Sequence, residues 1–439
     1  MMSLWKKLSV WYSYARLYGY TNATLYALYK IAPKRFALLV EMVKKNPAAT
    51  VVGSDSFGRL LKSVFRSGHW TDFGGSALPV GAAGAVETIV WFVPDWTNVW
   101  GGGHYTLFRF ANHFARQGTH NVIYIYNNER HTTPHSLQKD LQLALDGCRL
   151  EVIIDPKKLP ECAAAIATTW QSAYHVKAFP FAREKFYFMQ DYESYFYAFG
   201  TASIQANETY SFGFHGITGG GWLRSQYQAH GGSAINYRFA ADHKIFYPAQ
   251  PDGQVPPTVK RLFFYGRPST ERRCFELGMA SLQAIAARFP DVEIVIAGLD
   301  LGFTPPFKAT LLGNMTLEDT GKLYRTCDVG IAFSATNLSY LPVELMASGV
   351  PVISNRGPQV EWHCVDRENS MLVEATPEGV LEAFAELYSS VSSRQRLADG
   401  GLATMRGLNW ENEMRKVFEH VAEKIRPKAN FLLAKSSSA

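Results

Sequence analysis

The stretch ETIVWFVPDWTNVWGGGHYTLFRFANHFARQGTHNVIYIY (Glu87–Tyr126) decides the architecture. It opens on a continuous apolar run closed by Pro94, the composition of a strand buried on both faces. The glycine loop Gly101–Gly103 follows, then HYTLFRFANHFARQG with apolar residues at helical spacing, then a second apolar run, HNVIYIY. Strand, helix and strand in this order predict a parallel sheet covered by helices on both faces.

The same alternation continues outward. CRLEVIID, AAAIATTW, KFYFMQD and FGFHGIT read as further strands, and the later ones run into helical sequence. PAQPDGQVPP (Pro248–Pro257) reads as a linker. A second series starts at Val259. It runs through KRLFFYG, the helix CFELGMASLQAIAARFP, VEIVIAG, KATLLG, the helix TLEDTGKLYRTC, DVGIAFS, a helix around PVELMASG, PVIS, and a helix from about Pro377. The expected class is α/β: a first Rossmann-like domain over 86–250, a second over 257–405, and a cleft between the carboxyl ends of their strands. Open sheets of this kind bind ligands there. The amphipathic segment WENEMRKVFEHVAEKI, within 406–426, is expected to cross back to the first domain.

Residues 1–85 stand apart as a helical, basic and aromatic extension ending in the small-residue linker GGSALPVGAAGA (Gly74–Ala85). Leu4, Leu8, Trp11, Ala15 and Tyr18 recur at helical spacing. Residues 1–45 carry eight basic side chains against Glu41, a local charge of +7, which leaves the rest of the chain near −1 out of a total of +6. The basic character is therefore local, and no nucleic-acid surface over the main body is implied. Residues 1–70 fit either a helical appendage packed on the body or contact with a membrane surface or a partner enzyme.

The 439 residues are long for one core. A hydrophobic share of 47% and a charged share of 19% are those of a globular enzyme and argue against disorder. Five scattered cysteines without a CxxC pair point to neither a zinc site nor a disulfide framework, and a reducing, cytoplasmic compartment is expected. No signal peptide is expected, and the sequence holds no apolar run of the roughly 18 residues that spanning a bilayer requires.

Two segments carry the expected chemistry. In YGRPSTERRCF (Tyr265–Phe275) a strand passes toward a helix start, where backbone N–H groups favour an anion, and Arg267, Arg272 and Arg273 add fixed positive charge. A departing diphosphate needs that charge; the same residues also fit a solvated basic turn. In SATNLSYLPVELMASGVPVISN (Ser334–Asn355), Glu344 is expected in the first turn of a helix ending at Gly349. It fits a carboxylate holding a ribose or one that complements the helix dipole.

These segments resemble the donor domain of glycosyltransferase family 4 and its GT-B relatives. The resemblance implies a GT-B fold, Arg267 and Arg272 on the donor diphosphate, Glu344 on the ribose, and transfer with retention of anomeric configuration. The family's earlier glutamate falls on Thr336, and one residue is missing between Pro342 and Glu344. FYGRPSTERRCF, FMQDYESYFYAFG, NETYSFGFHGITGGGWL and FAADHKIFYP are similar to bacterial polysaccharide rhamnosyltransferases, the S-layer glycan type included, over roughly residues 87–424. Those carry a Y-x-P-x-E form that matches Tyr340, Pro342 and Glu344. This narrower resemblance implies L-rhamnose from dTDP-rhamnose as donor.

On the acceptor side, Gly102 and Gly103 allow close backbone approach to donor phosphate or acceptor, or form a bare turn. His104 is a candidate contact to the reacting sugar or a structural histidine. Asp191 and Glu193, just after a strand, fit an acceptor-orienting or base role, or serve as acids at a helix start. His215 and Trp222 flank a further glycine loop and are placed with the acceptor; Asp242 and His243 are placed near the hinge. The expected function is transfer of a sugar from a nucleotide-sugar, a co-substrate, to a glycan or lipid-linked glycan acceptor. No metal, cofactor or nucleic acid is expected. The expected place is cytoplasmic, peripheral at the inner face of the cytoplasmic membrane. The rival reading is a degenerate fold serving as a glycan-binding or scaffolding module.

Overall fold

The computed structural model describes residues 72–73, 86–250 apart from 129 and 132, 254–298 and 304–426. The extension and linker read over 1–85, with the contacts assigned to residues 1–70, lie outside the described residues except for Asp72 and Phe73.

Among the described residues the strands form two sheets. In the first, β1 (Thr88–Val93), β2 (His120–Ile125), β3 (Leu150–Ile153), β4 (Cys162–Ala167), β5 (Ala182–Met189), β6 (His215–Gly219) and β7 (Ser233–Tyr237) lie in the order β3-β2-β1-β4-β5-β6-β7. In the second, β8 (Arg261–Tyr265), β9 (Glu293–Ala297), β10 (Thr310–Gly313), β11 (Val329–Ile331), β12 (Val352–Asn355) and β13 (Met371–Val373) lie in the order β10-β9-β8-β11-β12-β13. The pairs are parallel; Thr88 to Val93, for example, stand opposite His120 to Ile125. In both sheets the chain reverses direction across the sheet beside its first strand, between β1 and β4 and between β8 and β11. Such switch points open a crevice at the strand carboxyl ends.

β1 runs through the centre because both of its faces are apolar. Trp91 packs against Phe114 and Phe188 on one side, and Phe92 against Tyr124, Phe179 and Phe73 on the other. The helix Gly102–Arg116 buries Leu107, Phe108, Phe110, Ala111 and Phe114 on the sheet. The last helix, Trp410–Ile425, starts at an Asn409 N-cap and returns to the first sheet. Its Glu413 accepts the N–H of Arg238, Lys416 donates to the Asn236 carbonyl, and Phe418 meets Phe114 at 5.2 Å. Met414, Val417, Val421 and Ile425 form its buried stripe, each worth roughly 1.5–3 kcal/mol when fully removed from water.

Some elements differ from the sequence reading. β7 in GGSAINY and β13 in SMLVE were passed over, being short runs beside glycine or charge. The helix carrying Glu344 spans Tyr340–Ala347, which puts Glu344 in its second turn rather than its first. Ser339 is its N-cap, and Pro342 falls within the first turn, where a missing N–H costs no helical bond.

Candidate active site

The cleft between the sheets is built by chain segments that leave the switch-point strands. From the first sheet come the loop after β1, with Gly101 to Gly103, and Gln190 and Asp191 at the end of β5. From the second come Arg267 to Cys274 after β8 and Ser334 to Ser339 after β11.

Asp191 sits where these meet. Its Oδ2 accepts from Arg272 Nε at 3.2 Å and faces Arg273 at 3.7 Å, while Oδ1 accepts the N–H groups of Tyr192 and Asn337 at 2.9 and 2.8 Å. Asn337 is fully buried and stitches the two sides together. Its Nδ2 donates to the Gln190 and Gly219 carbonyls at 3.0 and 2.6 Å, and its Oδ1 accepts from Trp362 Nε1 at 3.0 Å. Two carbonyl acceptors and one indole donor admit only this amide orientation. Gln190 donates to the Gly103 carbonyl at 2.8 Å and accepts from the Tyr340 hydroxyl at 3.3 Å. Gly220, with φ +91°, lies so near Trp362 that a Cβ there would stand 2.5 Å from the ring.

The arginines divide by role. Arg273 is held by Asp191, by the Asn337 carbonyl at 3.0 Å and by the Ser334 hydroxyl; burial lowers its pKa to about 10, which leaves it charged at neutral pH. Arg272 stacks 4.0 Å over the Phe196 ring, keeping part of its fork free. Arg267 is exposed, and its guanidinium makes no ion pair or hydrogen bond among the described residues. The helix after this loop begins at Phe275, later than the sequence reading placed it. Cys274 before it adopts the left-handed conformation, φ +51°, which most side chains avoid. A phosphate here would meet a fixed cation pair, one mobile guanidinium and the free N–H groups of the first helical turn.

Glu344 has Tyr324 Oη at 3.5 Å from its Oε2. Burial pushes its carboxyl up to about 8, opposed by that hydroxyl and by the positive charge of Arg109. Arg109, on the helix Gly102–Arg116, covers the Tyr105 ring at 4.2 Å and pairs with Asp242 at 3.7 Å. The hydroxyl of Thr336, at the position of the family's first glutamate, is buried with no hydrogen-bond partner among the described residues.

Several expected site residues are placed differently. Asp191 is in the cleft, with Oδ1 taken by two backbone N–H groups and Oδ2 bonded to Arg272 and facing Arg273, so it positions the arginine loop. Glu193 accepts the Trp170 N–H at 2.6 Å and so closes the start of the helix Trp170–Ala178; burial raises its carboxyl to about 8. His215 opens β6, at the end of the strand opposite the cleft, and pairs with Glu184 at 3.0 Å. Tyr340 is wedged between Phe239 and Trp410 at 4.6 and 5.7 Å with its hydroxyl turned to Gln190, and Pro342 is buried.

Others keep the cleft position. Gly102 and Gly103 are exposed at a helix start, where the first N–H groups lack helical acceptors. His104 Nε2 lies 3.3 Å from the Pro94 carbonyl, and burial lowers its pKa. A carbonyl partner requires Nε2–H, which leaves Nδ1 as an acceptor in the neutral ring. Trp222 begins the helix after β6 and meets Tyr192 edge-on at 6.0 Å. His243 Nε2 donates at the hinge to the Leu408 carbonyl at 2.9 Å. Sequence reasoning passed over Gln190, Asn337, Trp362 and Arg109, and also the pair Asp95–His131 at 2.6 Å beside the glycine loop. Among the described residues, no cluster of three His, Cys, Asp or Glu is placed to hold a metal ion, and no helix is long and apolar enough to cross a membrane.

Residues 260–385 match the family described as WsaF, C-terminal domain. The O-antigen biosynthesis protein RfbC of Myxococcus xanthus is 37% identical over 349 residues, covering 77% of this chain. The match spans only 27% of that relative's length. Among solved structures, sucrose-phosphate synthase from Thermosynechococcus elongatus is similar with a TM-score of 0.60 at 13% identity, over 77% of this chain and 98% of that one. Anabaena HepE, solved in complex with UDP and glucose, gives 0.60 at 13% identity, over 77% of this chain and 100% of that one. The fold is therefore that of the GT-B glycosyltransferases, two parallel-sheet Rossmann-like domains of α/β class.

Proposed function

We propose that this chain transfers a sugar from a nucleoside-diphosphate donor onto a growing surface polysaccharide. The observation that carries the reading is the loop after β8. It sets exposed Arg267 beside the held pair Arg272 and Arg273, at a switch point that faces the glycine loop and the end of β5. When the C1–O bond to the diphosphate breaks, its electron pair adds one negative charge to the two the leaving group already carries, and guanidiniums held in a part-dry cleft stabilise it far better than water does. Glu344, once ionised, offers two oxygens to a ribose diol.

Supporting the polysaccharide reading are the likeness to the WsaF C-terminal domain and to a relative named for O-antigen biosynthesis. A nucleotide-sugar donor is in keeping with a similar fold solved with UDP and glucose. L-rhamnose as the donor sugar, retention of configuration and metal-independent transfer complete the proposal. For retention, the acceptor hydroxyl would attack C1 on the face the diphosphate leaves and pass its proton to the departing phosphate oxygen. The test is nucleoside-diphosphate release from a panel of nucleotide-sugars, with and without polysaccharide acceptor and with EDTA. Acceptor-dependent release that survives EDTA supports the proposal. A folded protein that releases nothing from any donor refutes it, and favours the scaffold reading, to which Thr336 in place of the family's first glutamate lends weight.

A further inference from the structure

The segment between Asp191 and Ser211 carries exposed aromatic surface that the donor site does not use. Tyr195 is 58% exposed, Tyr197 38%, Phe199 91% and Ile204 54%. Exposed apolar side chains scattered singly need no explanation, but a contiguous set on one loop does. Two of them, Tyr195 and Tyr197, are also held in place. Tyr195 stands edge-on to Tyr192 at 4.8 Å, and Tyr192 stacks on Tyr210 at 4.8 Å. The Tyr197 hydroxyl accepts from Trp170 Nε1 at 3.0 Å. Between them Phe196 lies under Arg272 at 4.0 Å, so the aromatic run continues into the arginine loop.

Charge selects the occupant. From Asp191 to Ser211 the sequence holds Asp191, Glu193 and Glu208 and no Lys, Arg or His. Asp191 is paired with the arginines and Glu193 is buried on the Trp170 N–H, so the exposed stretch from Tyr195 to Ile204 is uncharged and holds no basic residue of its own to draw an anionic lipid surface or a nucleic acid. What suits rigid rings interleaved with serine, threonine, asparagine and glutamine is a neutral ligand with apolar C–H faces and many hydroxyls. Resting on the function proposed above, we propose that Tyr195, Tyr197 and Phe199 form a stacking platform for the pyranose rings of the acceptor polysaccharide, leading its end toward the arginine loop. This places acceptor recognition on the loop after β5 and not at His215, which lies at the far end of β6.

The experiment is affinity electrophoresis of the full chain in native gels cast with dextran or with delipidated O-polysaccharide, comparing wild type with Tyr195→Ala/Phe199→Ala. The conservative pair Tyr195→Phe/Phe199→Tyr serves as rescue, and the thermal shift with nucleoside diphosphates as the folding control. Wild type is retarded in at least one gel. Loss of two stacking rings weakens that retardation about tenfold, the conservative pair restores it, and the nucleotide shift persists in all three proteins. No retardation in any gel, or retardation unchanged in the alanine pair, overturns the platform while the nucleotide shift still upholds the donor site. Absence of both signals refutes the transferase reading itself. The platform is equally refuted if the alanine pair instead abolishes binding to vesicles of equimolar phosphatidylcholine and phosphatidylglycerol, or a concentration-dependent dimer.

Discussion

Asp191→Asn is expected to change stability and nucleotide affinity in opposite directions. The substitution keeps Oδ1 for the N–H groups of Tyr192 and Asn337 but replaces Oδ2 with an amide facing two guanidiniums. The Asp191 and Arg272 side chains are 10% and 30% exposed, so the pair is worth more than an ordinary surface bridge. A charge-assisted bond in such a setting contributes about 2 kcal/mol, which the variant loses from the link between the two sheets. The same carboxylate opposes any diphosphate that binds the arginines. Two unit charges about 7 Å apart at an effective dielectric of ~20 repel by roughly 2 kcal/mol. Discounted for salt, that is on the order of tenfold in affinity. Denaturant midpoints and calorimetric titration with nucleoside diphosphates read both effects. A lower midpoint with tighter binding is expected. An unchanged midpoint together with weaker binding would refute the reasoning, because Asp191 would then belong to the ligand's own contacts.

Three further outcomes follow from single contacts. Asn337→Ala leaves two buried carbonyls and an indole N–H without partners, and about 3 kcal/mol of unfolding free energy should go with them in a denaturant titration. Gly220→Ala combines a left-handed backbone with a Cβ 2.5 Å from the Trp362 ring. It should cost about 2–4 kcal/mol, read as a lowered thermal midpoint. For Glu344 the folded-state pKa of about 8 lies above the ordinary 4.5, so the folded protein holds a proton that the unfolded chain gives up. Stability must then fall as pH rises from 4.5 to 8 and level off above it. Glu344→Gln should lessen that decline in thermal midpoints measured across the same range, leaving the part due to Glu193, whose carboxyl is likewise pushed up to about 8.

Most strands of both sheets, β7 and β13 excepted, were legible because a buried parallel strand is an unbroken apolar run, as in ETIVWFVP and VEIVIAG. The arginine loop was legible too, since cations cluster there within a few positions. What could not be read is partnership across the cleft. Nothing local in FMQDYE says that Asp191 meets Arg272 and Arg273, which lie about eighty positions away along the chain. Gln190 and Asn337 are neutral amides in unremarkable loops, and only the packing of the two sheets turns them into a junction. His215 shows a related failure. Ligands gather at the carboxyl ends of the strands, but the run FGFHGIT does not say where its strand begins, and His215 opens it.

The central claim is that the loop after β8 holds a nucleoside diphosphate. A thermal-shift panel of nucleoside diphosphates on wild type and Arg267→Ala tests it most directly. Arg267 is exposed and unpaired among the described residues, so its loss should leave the unliganded midpoint unchanged. The account predicts stabilisation by at least one nucleotide, approaching ~2.7 kcal/mol at a hundredfold excess over the dissociation constant. In Arg267→Ala that stabilisation should be sharply reduced. No shift with any nucleotide, or an equal shift in both proteins, would contradict the account.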